Sequence, residues 1–202
     1  MANAALILAA GASSRFGGSP KALLPVDERT AVRRIAEVAL AEGASPVVVV
    51  IGALRGPIAH ELRGLPVELV EAENWYEGRT ASIQAGVRAL PEEHDLLFWP
   101  VDHPFVTERT VGTLFALKER DLLGTWFIPT YQGRGGHPVL WRACVRTALL
   151  ELRTDAPVRS LLPELGPQVR RFSVDDPGVL ENVDDPEQFR AAHQAWRARE
   201  GV

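Results

Sequence analysis

The sequence predicts an α/β protein of three layers, with a mostly parallel, Rossmann-like sheet between two layers of helices. Three observations carry the prediction. Apolar, β-branched runs of strand length alternate with segments of helical period. PVVVVIG, from Pro46 to Gly52, is the clearest buried strand. Helix-start signals follow several of the runs, which is the βαβ pattern that builds parallel sheets through right-handed crossovers.

Leu6–Ala9 is the first strand. Thr30 caps a helix whose Val32, Ile35, Ala36 and Ala39 share one face, and Gly43 closes it. After the Pro46–Gly52 strand comes a short helix near Ile58–Arg63, then a strand over Pro66–Ala72. A helix from about Thr80 carries Ile83, Val87 and Leu90 on one side. Asp95–Asp102 is a strand, Thr107 opens a helix bearing Val111, Leu114 and Phe115, and Gly124–Thr130 is a further strand. YQGRGGHPVLW then reads as a loop or a hairpin entering another strand. In the last helix Asp185 is the cap, Pro186 occupies the first turn and Gln188 completes a capping box; Phe189, Ala192 and Trp196 form its buried stripe.

The 202 residues suffice for one domain with a sizeable core. Apolar residues at 46% and charged residues at 24% are a globular balance. A net charge of −4 argues against nucleic acid or an anionic membrane as partner, although a local basic site is compatible with it. The single cysteine, Cys144, excludes an intramolecular disulfide and a cysteine metal cage. No apolar run reaches the roughly 20 residues of a membrane span, and no basic region precedes Ala4–Ala10, so a cytoplasmic location is expected.

In open sheets of this kind ligands sit beyond the carboxyl ends of the strands. The loop after the first strand holds Gly11, Gly17 and Gly18, which permit tight or positive-φ backbone, together with Arg15 and Lys21. Exposed N–H groups and two cations suit a triphosphate. The loop is not a P-loop, because Pro20 precedes Lys21 and Ala22 follows it, so the Mg²⁺-binding hydroxyl is missing. Nor does Gly11-Ala-Ser provide the G-x-G-x-x-G dinucleotide fingerprint.

LAAGASSRFGGSPKALL resembles the signature loop of the MobA-like nucleotidyltransferases, which attach nucleotides to the molybdenum cofactor. The pattern there is Leu-Ala-(Ala/Gly)-Gly-x-(Ser/Gly)-x-Arg-(Met/Phe)-Gly with a lysine a few residues on. Sugar-nucleotide and methylerythritol-phosphate cytidylyltransferases carry related loops. The resemblance implies a nucleotide-diphospho-sugar-transferase-like fold and one nucleotidyltransferase domain over residues 1–202. It places Leu8, Ala9, Ala10, Gly11, Ser13, Arg15 and Lys21 at the nucleotide.

Further segments carry the likeness. Asp102-His103-Pro104 resembles the family's metal-holding Asp-x-Pro, which makes Arg15, Lys21 and Asp102 the catalytic set with Mg²⁺ as cofactor. His103 needs no role as a base, since a phosphate nucleophile is already anionic. ENVDDPEQF resembles a late Asn/Asp-x-Asn/Asp motif and offers Asn182 or Asp184 as a metal contact; Asp185 and Gln188 depart from the family's threonine and aspartate. ENWYEGRTASIQAG resembles the cytidylyltransferase stretch that puts Gly78, Thr80 and Ser82 beside the nucleotide, and ordinary helix capping by Thr80 is compatible with that. GRGGHPVL matches a loop facing the acceptor, with Gly136 and His137 as contacts, His137 either binding an acceptor phosphate or standing inert.

Ala10 adds a methyl where the guanylyl branch has glycine, which favours CTP over GTP. The implied acceptor is molybdopterin or another phosphorylated small molecule, with transient contact to a molybdoenzyme maturation partner. Two rival readings stand beside this one: a sugar-1-phosphate nucleotidylyltransferase, for which the chain is short, and a non-catalytic nucleotide-binding regulatory domain.

Overall fold

The computed structural model describes residues 1–11, 13–17, 20–52 and 55–201; Gly18, one of the three loop glycines, lies outside them. The elements in chain order are β1 (Asn3–Ala9), α1 (Ala31–Ala41), β2 (Val47–Ile51), α2 (Arg55–Glu61), β3 (Val67–Glu71), α3 (Arg79–Ala89), β4 (Asp95–Pro100), α4 (Glu108–Arg120), β5 (Trp126–Tyr131), β6 (Arg134–Gly135), β7 (Val139–Trp141), α5 (Arg146–Glu151), α6 (Leu162–Leu165), β8 (Val169–Ser173) and α7 (Pro186–Glu200). No described helix is long and apolar enough to cross a membrane.

These strands form one sheet in the order β3-β2-β1-β4-β7-β5, with β8 parallel to β5 and β6 antiparallel to it. β1 pairs in parallel with both β2 and β4. β7 reverses the direction, pairing antiparallel with β4 and β5. The YQGRGGHPVLW segment is therefore the hairpin of the two alternatives, interrupted between β6 and β7.

Successive residues of β1 point to opposite faces. Ala5 and Ile7 join Val32 and Ile35 of α1, Ile58 of α2 and Leu114 of α4 in one core. Leu6 and Leu8 join Ile83 and Val87 of α3 and Leu149 of α5 in the other. The result is a three-layer α/β fold. A third cluster gathers Val26, Ala31, Phe105, Val183 and Trp196, with Phe189 and Ala192 partly buried against it, and so seats the predicted stripe of α7.

Some local expectations shift. α2 begins at Arg55, upstream of the predicted start, and α3 begins at Arg79. Thr107 precedes α4, but its hydroxyl donates to Asp176 rather than capping the helix (2.9 Å). Asp185 caps α7 through Glu187 N and Gln188 N at 2.9 and 2.8 Å. Gln188 does not close a capping box on Asp185; its Oε1 accepts from Asp184 N, one residue further back, at 2.8 Å. β8 escaped prediction because VRRFS, half-exposed at the sheet edge, has too few apolar residues to read as a strand.

One buried ion pair anchors the amino-terminal end of β4. Lys118 Nζ of α4 donates to Asp95 Oδ2 at 2.8 Å and to Met1 O at 2.9 Å, while Asp95 Oδ1 accepts from Ala143 N at 2.9 Å. Both side chains are essentially excluded from water, at 1% and 0% exposure, so removing Asp95 takes from the buried Lys118 its shortest ion pair and leaves it, among the described residues, only the pair with Glu119 at 3.4 Å. Asp95→Ala is expected to lower unfolding free energy by about 3–5 kcal/mol, read from denaturant midpoints.

Candidate functional site

The register of β1 on β4 sets the site. Leu8 lies opposite Pro100, and Val101 N donates to Leu8 O at 3.1 Å, so the loop after β1 and the turn after β4 leave the same edge of the sheet side by side. Ser13 adopts a left-handed conformation (φ 50°) ahead of a tight turn over Ser14–Phe16, and Gly17 (φ 62°) takes the same region after it. Gly11 does not use the positive φ open to it; among the described residues of the loop, Ser13 is the non-glycine residue that takes one. Ser13 Oγ accepts from Lys21 N at 2.9 Å, folding the loop back and bringing Lys21 into a cavity of about 470 Å³.

Lys21 and Asp102 both line that cavity. So do Leu8, Ala9, Ala10, Gly11, Ser13 and Arg15 from the first loop, and Gly78 and Ser82 from the start of α3. Thr80 does not. Its hydroxyl donates to Ala156 O at 2.5 Å, so it neither caps α3 nor faces this cavity, and it lines a neighbouring one instead.

Asp102 is buried, and each of its oxygens is engaged. Oδ1 lies 2.8 Å from His103 Nδ1, and Oδ2 accepts from Arg79 Nη2 at 3.0 Å. Burial disfavours the charged carboxylate, but the His103 hydrogen bond and the Arg79 charge outweigh it, holding Asp102 well below the usual carboxylate range. An ionised carboxylate can only accept, so the proton of this contact sits on His103 Nδ1. His103 thus orients Asp102.

The late segment joins here too. Val183 N donates to Asp102 O at 2.8 Å, which brings Asp184 to the cavity wall. Asp184 Oδ1 pairs with Lys21 Nζ at 2.6 Å. The hydrogen bond from Lys21 lowers the Asp184 pKa, while the charge of Asp102 works to raise it, so the two carboxylates share one field. Asn182 does not line the cavity; its amide donates to Asp184 Oδ2 at 2.6 Å and orients that group. Among the described residues there is no cluster of three or more His, Cys, Asp or Glu able to cage a metal. Two carboxylates on one cavity, completed by substrate phosphate oxygens, are nevertheless the donor set that Mg²⁺ uses.

A second cavity of about 600 Å³ adjoins the first, and Arg79 lines both. Gly136 and His137 lie in its wall. A Cβ at Gly136 would collide with the Val179 carbonyl, so only glycine lets the chain pass there. Phe98 and Trp141 stack at 4.8 Å between centroids, and Trp126 meets Trp141 edge-on at 5.2 Å. Arg134, Arg159 and Arg171 supply cations to the same wall. His137 keeps a partly exposed edge, while its Nδ1 is buried and without a partner. Burial first, then the charges of His103 and Arg79, push its pKa down to about 3. It is neutral at pH 7, so the positive charge of this wall is that of the arginines.

Sequence reasoning missed Arg79 and the arginines and tryptophans of the second cavity. Arg79 was within reach: it follows Gly78 at a helix start on the ligand side of the sheet. Arg159 and Arg171 come from segments without a periodic pattern, and only the folded chain gathers them.

A family model described as MobA-like NTP transferase domain matches residues 5–169. Over 189 residues the chain is 31% identical to nicotine blue oxidoreductase of Paenarthrobacter nicotinovorans, covering 91% of this chain and 93% of that protein. A solved Methanothermobacter nucleotidyl transferase, Mth528, superposes with a TM-score of 0.81 at 24% identity, covering 98% of this chain and 99% of that one. Rv0371c of Mycobacterium tuberculosis H37Rv, solved as a manganese complex, gives 0.75 at 21% identity, covering 96% and 100%. The two structures share the fold with this chain.

The neutral His137 has a consequence for acid stability. Its ordinary value is 6.5 and its folded value about 3, so between these the unfolded chain takes up a proton that the folded chain refuses. Stability therefore falls as pH drops through that window, by up to about 1.4 kcal/mol per pH unit. Urea midpoints at pH 7, 5 and 4 are expected to decline less steeply for His137→Gln than for the parent protein.

Proposed function

The chain belongs to the MobA-like NTP transferase family, and on that premise we propose that it is a nucleotidyltransferase, moving CMP from CTP to a phosphate on a planar heteroaromatic acceptor such as molybdopterin. The observation that carries the reading is the meeting of Arg15, Lys21, Asp102 and Asp184 on one cavity, next to an aromatic, arginine-rimmed cavity across Arg79. The first suits a triphosphate, the second a flat anionic acceptor. Ala10, whose methyl narrows the nucleotide end, is the ground for preferring CTP to GTP.

In this reading an oxygen of the acceptor phosphate attacks the α-phosphorus, the bond to the bridging oxygen breaks, and pyrophosphate leaves. Such transfers depend on positioning and charge stabilisation. Arg15 and Lys21 neutralise the triphosphate and the departing pyrophosphate. The backbone N–H groups at the start of α3 and around Gly11 bind phosphate oxygens. His103 holds the Asp102 carboxylate in place, and the attacking phosphate needs no base. A divalent ion such as Mg²⁺, held by Asp102 and Asp184, would supply charge neutralisation at the phosphates. The arginines of the second cavity would meet the charge of the acceptor, and the buried Phe98, Trp126 and Trp141 give that cavity an apolar floor.

A second reading, reduction of a heteroaromatic substrate, is favoured by one observation, the 31% identity to a protein named an oxidoreductase. The same assay separates the two. Protein is incubated with CTP or GTP, Mg²⁺ and either molybdopterin or a sugar 1-phosphate, with pyrophosphate detection; a parallel arm follows nicotinamide-nucleotide oxidation with a heteroaromatic substrate. Pyrophosphate release with CTP and molybdopterin supports the proposal. Nicotinamide oxidation with no pyrophosphate overturns it, and so does nucleotide binding without turnover.

Lys21→Ala is expected to cut turnover by about 10²-fold, the scale of one lost transition-state donor, and Asp102→Ala to abolish divalent-ion-dependent activity. Pyrophosphate release that survives both changes removes the site assignment. Gly11→Ala separates binding from folding. A Cβ there meets nothing within 4 Å, so the melting temperature is expected to hold, whereas crowding of the triphosphate raises KM about tenfold, or ~1.4 kcal/mol.

A further inference from the structure

Both carboxylates of the nucleotide cavity carry a cation supplied by the protein: Lys21 on Asp184 and Arg79 on Asp102. The two pairs differ in one respect. Asp102 is fixed, its side chain 9% exposed and its Oδ1 bonded to His103, whereas the Arg79 side chain is 57% exposed. The guanidinium is the partner that solvent reaches. It sits on the oxygen, Oδ2, that His103 leaves over, and it stands on the first residue of α3, lining both cavities.

We propose that Arg79 gates Asp102: without nucleotide it occupies Oδ2 and keeps a divalent cation off, and an arriving triphosphate draws it away, so that metal and nucleotide bind as a coupled pair. The inference rests on the reading of Asp102 as a metal ligand and adds the order in which that ligand becomes free. A guanidinium 3.0 Å from Oδ2 competes with a cation for the same lone pairs and repels its charge. Opening the pair takes one cation from the buried Asp102 carboxylate, and the divalent ion that follows makes that loss good. The planar fork of arginine fits phosphate oxygens bidentately, so the triphosphate offers it two hydrogen bonds for the one it gives up. Coupling of this kind is reciprocal: nucleotide strengthens metal binding by the factor with which metal strengthens nucleotide binding.

The test titrates the full chain with Mn²⁺, following the spin-resonance signal of the free ion, with and without a non-reacting α,β-methylene analogue of CTP. In the parent protein the analogue is expected to tighten Mn²⁺ binding by about tenfold or more, within the ordinary range of coupling between sites. Arg79→Gln is expected to bind Mn²⁺ alone about tenfold more tightly and to lose most of the enhancement; Arg79→Lys, which keeps the charge without the fork, falls between. A merely structural role for Arg79 would not raise metal affinity. Unchanged or weaker Mn²⁺ binding by Arg79→Gln, or an enhancement that persists in it, overturns the gate. Asp102→Asn tests the underlying reading separately: loss of Mn²⁺ binding sustains the ligand assignment whatever Arg79 does, and unchanged binding removes the assignment and the gate with it.

Discussion

The parallel pairing of β1 with β4 is the constraint on which the rest of the molecule depends. With Leu8 opposite Pro100, a cationic loop and an acidic turn leave the sheet as neighbours, although some 90 residues of chain separate them. The pairing is enforced from both faces. Ala5 and Ile7 fill one core and Leu6 and Leu8 the other, so a slip by one residue would turn each set to the wrong side. The charges of the site are borne by loops, but their spacing is set by this buried, apolar register.

Electrostatics then completes what packing begins. The cavity gathers cations and carboxylates in close quarters, and each carboxylate is held by two side chains: Asp102 by Arg79 and His103, Asp184 by Lys21 and Asn182. Such a site is balanced in itself. Under the proposed function, a substrate of high negative charge with its divalent ion would enter by exchanging partners, phosphate for carboxylate on the cations and metal for cation on the carboxylates. Little net charge has to be moved out of water at any stage.

The fold and half of the site were legible because they are written in local patterns. PVVVVIG reads as a buried strand, the Thr30 and Asp185 caps read as helix starts, and the loop from Leu8 to Lys21 carries its chemistry within fourteen residues. What stayed hidden depends on distant chain segments. VRRFS becomes a strand only because the edge of β5 is free to accept it. The Thr80 hydroxyl turns away from the Lys21–Asp102 cavity because the Ala156 carbonyl, far along the chain, lies within its reach. His137 becomes a neutral group through burial and neighbouring charge, neither of which its surrounding residues announce.

The amide of Gln188 holds the backbone of Asp184 from the first turn of α7, and the Trp196 indole of the same helix packs with Val26 and Ala31, which flank the first loop on its downstream side. One helix, α7, thus braces the Asp184 wall of the cavity and the segment that follows the first loop. A disturbance of α7 would therefore be felt at once by the Asp184 backbone and by the stretch just downstream of the first loop.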